Sequence, residues 1–412
     1  MQSALRWKRD VLPNGLRVLT LPRSGLTAQL SVAIEYGSND DSQENSGTAH
    51  FLEHMLVGGS KERIKLHNTI ETTGGGSIFE TTPEFTYCAV NTFPDRLPEA
   101  SAVLSGLLFD ASFQSEKLEI ERKVILNEIA DISDDPLSKI DETLAKCLFK
   151  KHPIRQPISG TKRSVRQATL NQLKKAHCSW YAPQNMVVIL TGGFTKECLD
   201  KVLSDFRGRE NQGAISKTLS APEKNKPLRE AKMEKLGISQ AYLAVGARTV
   251  ASSDDAAPAL DLLSVILGIG ESSRLFVELR EKRALTYDIE STHMAGLDFG
   301  YFIIDCSVKP KALDQTETLV MKELEKIKTQ KITEAELDKA KNQTLAALYR
   351  DFDSPTELPR LMAEIETLYK DEDALLDYTR KIQATTSQDI LEAANKFLQE
   401  DNYSKVVLAP KK

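Results

Sequence analysis

Residues 48–59 read Thr-Ala-His-Phe-Leu-Glu-His-Met-Leu-Val-Gly-Gly. His50 and His54 are four residues apart, so on a helix they lie on one face, about one turn apart. Glu53 follows His50 by three and brings a carboxylate to the same patch. Two imidazoles so placed suit Zn²⁺, and the carboxylate suits proton transfer with water beside them. The apolar flank Ala49, Phe51, Leu52, Met55, Leu56, Val57 and the stop at Gly58-Gly59 predict a buried helix over this stretch. Buried histidines are often only hydrogen-bonded core residues. Two of them with a glutamate in one buried turn are costly unless compensated, and a metal ion is the compensation expected.

The 412 residues are enough for two or more domains. A formal net charge of −5 leaves no basic footprint for nucleic acid. The charged first residues have no apolar stretch behind them, and runs such as Met186 to Leu190 are too short to cross a bilayer. Five cysteines (88, 147, 178, 198, 306) without close pairing suit reduced thiols rather than disulfides or a cysteine-based zinc site. A cytoplasmic protein without membrane or nucleic-acid partners is expected.

Working outward from the helix, the chain shows self-similarity at an offset of roughly 210 to 220 residues. Ala168-Thr169, Ala176, Asn185 and the strand Val187 to Leu190 recur as Ala384-Thr385, Ala393, Asn402 and Val406 to Leu408. The strand from Tyr87 to Phe93 has its counterpart in Tyr301 to Val308. The helical stretch after Ser115 matches the one after Thr333, and both stop before a proline, Pro136 and Pro355. Gly208 to Pro227 is rich in Gly, Asn, Ser, Lys and Pro and reads as a linker. The expected organisation is a domain over 1–207, a linker over 208–227 and a homologous domain over 228–412. Each copy mixes alternating strands with amphipathic helices, which predicts α+β: an antiparallel-rich sheet with helices packed on one face.

The second copy serves as a control. Aligning Gly58 with Gly268 places Leu260, Leu263 and Ser264 opposite His50, Glu53 and His54. A fold that needed those polar groups structurally would keep them twice, so one metal site per chain is expected. Zinc requires a third protein ligand and keeps a fourth position for water. On the helix from Ser115 to Ser133, Glu121 and Glu128 are seven residues apart and point the same way. Their counterparts are Ala340 and Ala347, so the carboxylates are absent where the histidines are. Glu128 is assigned as ligand and Glu121 as the partner that orients a histidine or the site water.

These pieces together resemble the pitrilysin-type inverzincins, the family of insulin-degrading enzyme and mitochondrial processing peptidase. The resemblance runs through Asn14-Gly15-Leu16, His50 to His54, Gly74-Gly75 and Glu121-Arg122-Lys123-Val124-Ile125-Leu126-Asn127-Glu128. In the second copy it continues through Ser273-Arg274-Leu275-Phe276 and Leu279-Arg280 to Thr286-Tyr287. It is strongest for the short bacterial-type members, whose two homologous domains form half of a clamshell closed by a second subunit. The resemblance implies zinc held by His50, His54 and Glu128, with Glu53 as general base and Glu121 as supporting carboxylate. Arg280 and Tyr287 would steady substrate and oxyanion, acting across a dimer interface. It implies a zinc endopeptidase that cleaves unfolded or short peptides in the closed chamber of a homodimer. The alternative is a non-catalytic or partner-dependent subunit of a heterodimeric processing peptidase. One departure stands out: where the family usually has Asn-Ala-x-Thr on the strand that pairs with substrate, this chain reads Ser77-Ile78-Phe79-Glu80. Strand addition through main-chain groups tolerates such changes, so they bear on substrate preference.

Overall fold

The computed structural model describes residues 6–207 and 216–411. Residues 208–215 of the expected linker lie outside the described residues. The chain begins with β1 (Lys8–Val11), β2 (Arg17–Pro22), β3 (Ala28–Ile34), α1 (Thr48–Gly58), α2 (Lys61–Thr72), β4 (Gly76–Thr81) and β5 (Thr86–Thr92). There follow α3 (Leu97–Phe109), α4 (Ser115–Asp134), α5 (Pro136–Leu148), α6 (Lys162–Gln167), α7 (Leu170–Trp180), β6 (Met186–Gly192) and α8 (Lys196–Arg207). The second copy contains β7 (Glu230–Lys235), β8 (Ala241–Arg248), α9 (Ala257–Gly268), a π-helical turn over Phe276–Glu281, β9 (Thr286–Ala295) and β10 (Gly300–Val308). It ends with α10 (Leu313–Thr329), α11 (Glu334–Asp353), α12 (Glu357–Leu368), α13 (Ala374–Ala384), α14 (Ser387–Phe397) and β11 (Tyr403–Pro410).

The strands form two mixed sheets, ordered β1-β2-β6-β3-β5-β4 and β7-β11-β8-β10-β9. Apart from β1 the two orders correspond strand for strand. In each, one parallel pair (β2 with β6, β7 with β11) precedes antiparallel pairings. The expected antiparallel-rich α+β fold, present twice, is what the chain adopts.

Two compact units result, and they are not contiguous in sequence. The first gathers the chain up to Asp131 with Gln156–Thr218 and Arg350–Leu375; the second gathers Ile132–Arg155, Leu219–Tyr349 and the chain from Leu376 on. The uninterrupted stretches 1–207 and 228–412 therefore need correcting at two helices: α5 belongs to the second unit and α12 to the first. The reason is packing. Ile140, Leu144 and Leu148 of α5 bury against Ala244, Ile303, Val406 and Leu408 of the second sheet. The opposite face of that sheet, through Leu243, Val245 and Val407, packs with Leu260 and Leu263 of α9. In the first unit α12 lies against β3 and β6, and its buried Glu366 pairs with Arg17 of β2 at 3.3 Å. Each sheet thus carries a helix on its second face, in addition to the expected helical layer. Among the described residues no helix is long and apolar enough to cross a membrane.

Candidate metal centre

The sequence of α1 divides cleanly by burial. Ala49, Phe51, Leu52, Met55 and Leu56 are fully buried in the first unit's core. His50, Glu53 and His54 occupy the remaining, half-buried flank. The start of α1 is held from below. Asp41 accepts the Ala49 N–H at 3.2 Å and the Tyr36 hydroxyl at 2.7 Å, while burial pushes the Asp41 carboxyl up to about 7. Gly47, at φ +87°, makes the entry turn against Ser159 and Gly160, where a Cβ would clash with backbone.

The helix α4 turns Leu118, Ile125 and Ile129 into the protein. This aims Glu121 and Glu128, two turns apart, at α1. Glu128 Oε2 lies 3.8 Å from His50 Nε2 and 3.4 Å from His54 Nε2. One ligand atom from each of His50, His54 and Glu128 lies within 4.8 Å of the other two. A tetrahedral zinc with bonds of about 2.0–2.1 Å holds its ligand atoms about 3.3–3.4 Å apart. Glu128 Oε2 already stands near that spacing from both imidazoles, so the three donors can converge on such an ion. The protonation of His50 fits as well. Burial, reinforced by His54, pushes His50 down to about 3, so its imidazole is neutral and has a lone pair to offer. His54 Nδ1 lies 3.2 Å from Glu121 Oε2, a contact that assigns the Nδ1 proton to that bond and turns Nε2 to Glu128. Burial opposes a proton on His54, but Glu121, Glu128 and Glu53 together raise it. Gly58 explains how Glu121 comes so near: a Cβ there would be 2.0 Å from Glu121 Oε1.

Glu53 stands beside this cluster. Burial raises its carboxyl, against the opposing effects of His54 and Thr81. The Thr81 hydroxyl donates to Glu53 Oε2 at 3.1 Å. Thr81 ends β4, which lies at the edge of the sheet and, among the described residues, pairs with β5 alone. The sequence reading missed Thr81. Spacing could not reveal it, because the contact requires knowing that this strand's end passes the second turn of α1. The unusual segment is on the same strand. Ser77 meets His67 at 2.8 Å, Ile78 is exposed, and Glu80 pairs with Arg360 at 2.9 Å. Gly74, at φ +71°, makes the turn from α2 into β4.

Arg280 and Tyr287 lie in the second unit, where the structure brings them together. The Arg280 guanidinium is 4.7 Å from the Phe276 ring centroid and 4.5 Å from that of Tyr287, an arrangement that restrains a long side chain. The π-helical turn and Ala284, at φ +51°, carry the chain from one to the other. Tyr287 is 68% exposed. At the positions matching the first unit's cluster, Leu260, Leu263 and Ala340 are fully buried.

Two imidazoles and a carboxylate converging beside a second glutamate, on one copy of a duplicated sheet-and-helix unit, are the attributes of a metallopeptidase lineage. The comparisons agree. The family model described as Insulinase (Peptidase family M16) matches residues 17–162, and that described as Peptidase M16 inactive domain matches residues 167–344. The chain belongs to peptidase family M16, as a short bacterial-type, pitrilysin-like member. It is 27% identical to an uncharacterized zinc protease of Streptomyces coelicolor over 95% of this chain and 87% of that one. To the zinc protease PqqE of Helicobacter pylori it is 26% identical over 97% and 92%. The crystal structure of a protease from Helicobacter pylori shares the fold with a TM-score of 0.90 at 24% identity, covering 98% of this chain and 99% of that one.

Proposed function

We propose that the protein is a zinc-dependent endopeptidase that cleaves unfolded or short peptides. The observation that supports this most is the meeting of His50 Nε2 and His54 Nε2 at one oxygen of Glu128, with Glu53 at their side. In this reading His50, His54 and Glu128 hold one Zn²⁺ per chain. The Glu121 contact to His54 Nδ1 fixes the ring and its tautomer. Zinc, when bound, supplies a Lewis acid that polarises a carbonyl and makes water more acidic. Glu53 takes a proton from water and returns it to the leaving amine. The open edge of β4 receives the peptide as an added strand, through main-chain hydrogen bonds. Arg280, already stacked on Tyr287, offers a fixed cation, and Tyr287 an exposed hydroxyl, to the developing oxyanion. The protein works as a homodimer whose closed chamber excludes folded chains, with Arg280 and Tyr287 of one protomer serving the metal centre of the other.

The test is Glu53→Gln beside wild type on a panel of unstructured peptides. Loss of cleavage with zinc retained is expected; equal cleavage by both overturns the reading. Elemental analysis with His50→Ala as control checks the zinc separately. Mixed dimers of an Arg280→Ala/Tyr287→Ala chain with a Glu53→Gln chain should recover activity, and none in confirmed mixed dimers refutes sharing between protomers.

A further inference from the structure

We propose that Thr81 is a positioning residue for Glu53, one that ties the base to the strand on which a peptide would dock. The proposal rests on the reading of Glu53 as proton acceptor. The main chain of α1 fixes where the Glu53 side chain starts, but three rotatable bonds separate the carboxylate from that anchor. Among the described residues, the hydrogen bond that holds the carboxylate comes from Thr81 Oγ1, at 3.1 Å to Oε2. It occupies one oxygen and leaves Oε1 for water.

Thr81 is itself tightly placed. It is 6% exposed, pairs with Thr86 across the β4–β5 hairpin, and as a β-branched residue is stiff at χ1. The hairpin turn beyond it is braced. The Thr82 N–H reaches Phe85 O at 2.9 Å, and Thr82 Oγ1 accepts the Glu84 and Phe85 N–H groups at 3.2 and 3.0 Å. The loop that leads toward α1 is stitched to the same turn, by Ser38 N–H to Thr82 O at 3.0 Å and Asn39 N–H to Pro83 O at 2.9 Å. The hydroxyl therefore moves only if the end of β4 moves. A peptide that pairs with the edge of β4 would lie along this braced strand, whose end holds the carboxylate.

Thr81→Val keeps the shape and deletes the donor, whereas Thr81→Ser keeps the donor. Both are compared with wild type and Glu53→Gln as zinc-loaded, full-length protein on one unstructured peptide. Because misplacement of a reacting group by about 1 Å can cost on the order of 100-fold, Thr81→Val should lower kcat about 10- to 100-fold. Its KM and zinc content should match wild type, and Thr81→Ser should recover most of the lost kcat. A readout independent of turnover is thermal unfolding of chelator-treated protein. Thr81→Val should lower the midpoint in the wild-type background and shift it much less in a Glu53→Ala background. Unchanged kcat in Thr81→Val with Glu53→Gln inactive overturns this proposal alone, as do equal losses in the Val and Ser variants or equal midpoint shifts in both backgrounds. Full activity of Glu53→Gln overturns the base assignment, and this proposal with it.

Discussion

A methyl group added at Gly58 would sit 2.0 Å from Glu121 Oε1 and 2.6 Å from its Cδ. Cβ atoms do not tolerate contacts under 3.0 Å, so in Gly58→Ala the carboxylate must withdraw by about 1 Å, the difference between 3.0 and 2.0. Glu121 Oε2 is now 3.2 Å from His54 Nδ1. A retreat of that size takes it out of hydrogen-bonding range, and His54 loses the partner that sets its tautomer. Removing such a partner typically costs 10- to 100-fold in metal affinity, about 1.4–2.7 kcal/mol. Helix propensity acts in the opposite direction, since alanine is favoured over glycine by about 1 kcal/mol in a helix interior and by less at the last residue of α1. The two effects separate experimentally. Chelator competition should show a zinc Kd raised about 10- to 100-fold, while thermal unfolding of metal-free protein should show no loss of stability. In a Glu121→Ala background the added methyl group has nothing to displace, and Gly58→Ala should leave the Kd unchanged. An unaltered Kd for the single variant refutes the reasoning. So does a marked loss of metal-free stability, which would mean that the methyl group disrupts the helix rather than the carboxylate.

Glu128→Gln exchanges an anionic donor for a neutral amide, so zinc affinity should fall by at least tenfold with little change in metal-free unfolding; retained stoichiometric zinc at low free-metal concentration would count against Glu128 as ligand. Asp305 in the second unit is pushed from 3.8 to about 7 by burial, with Asp141 and Glu290 adding to the shift. A carboxyl raised on folding contributes stability that is full below about pH 4 and lost as pH rises through about 7; Asp305→Asn should therefore unfold at a higher temperature than wild type at pH 8, with the gap closing toward pH 4, and a gap independent of pH contradicts this. Arg63, 3% exposed, donates to Leu56 O at 2.7 Å and also to Leu107 O and Asp110 O, so Arg63→Met strands three carbonyls and should cost about 2–4 kcal/mol in urea unfolding; a loss below about 1 kcal/mol refutes that role.

Much of the centre was legible because helical spacing is a short-range rule. Residues at i, i+3 and i+4 share a face whatever surrounds them, which places His50, Glu53 and His54 together, and a separation of seven does the same for Glu121 and Glu128. The duplication was legible because a repeated sheet order leaves repeated strand and helix patterns, and the two five-strand orders do correspond. The exchange of α5 and α12 was not. Leu144 shows that α5 has an apolar face, but nothing in its period says which of two similar sheets that face will meet. The approach is read only from the structure, where Gly246 of β8 leaves room: a Cβ there would be 2.8 Å from Leu144 Cδ2. Thr81 and Gly58 escaped for the same reason, since each matters through a residue far away in sequence.

The second copy also shows what separates a site from a scaffold. In α9 every residue except Asp261 is buried, and Leu260 and Leu263 are part of the second unit's core. Even its one carboxylate is spoken for. Asp261 receives the Tyr378 hydroxyl at 2.9 Å and meets His293 Nδ1 at 2.6 Å. His293 Nε2 in turn contacts Thr249 at 3.0 Å. That histidine and carboxylate satisfy each other, and the imidazole of His293 is fully buried with a partner on each nitrogen. In α1 the matching flank stays half open, and its histidines turn Nε2 toward a glutamate that is itself 40% exposed. Polar residues in a helix of this fold therefore do not by themselves make a metal centre. What distinguishes the first copy is donor atoms converging at a half-open flank, beside a strand that among the described residues pairs with β5 alone, and the proposed peptidase reading rests on both features.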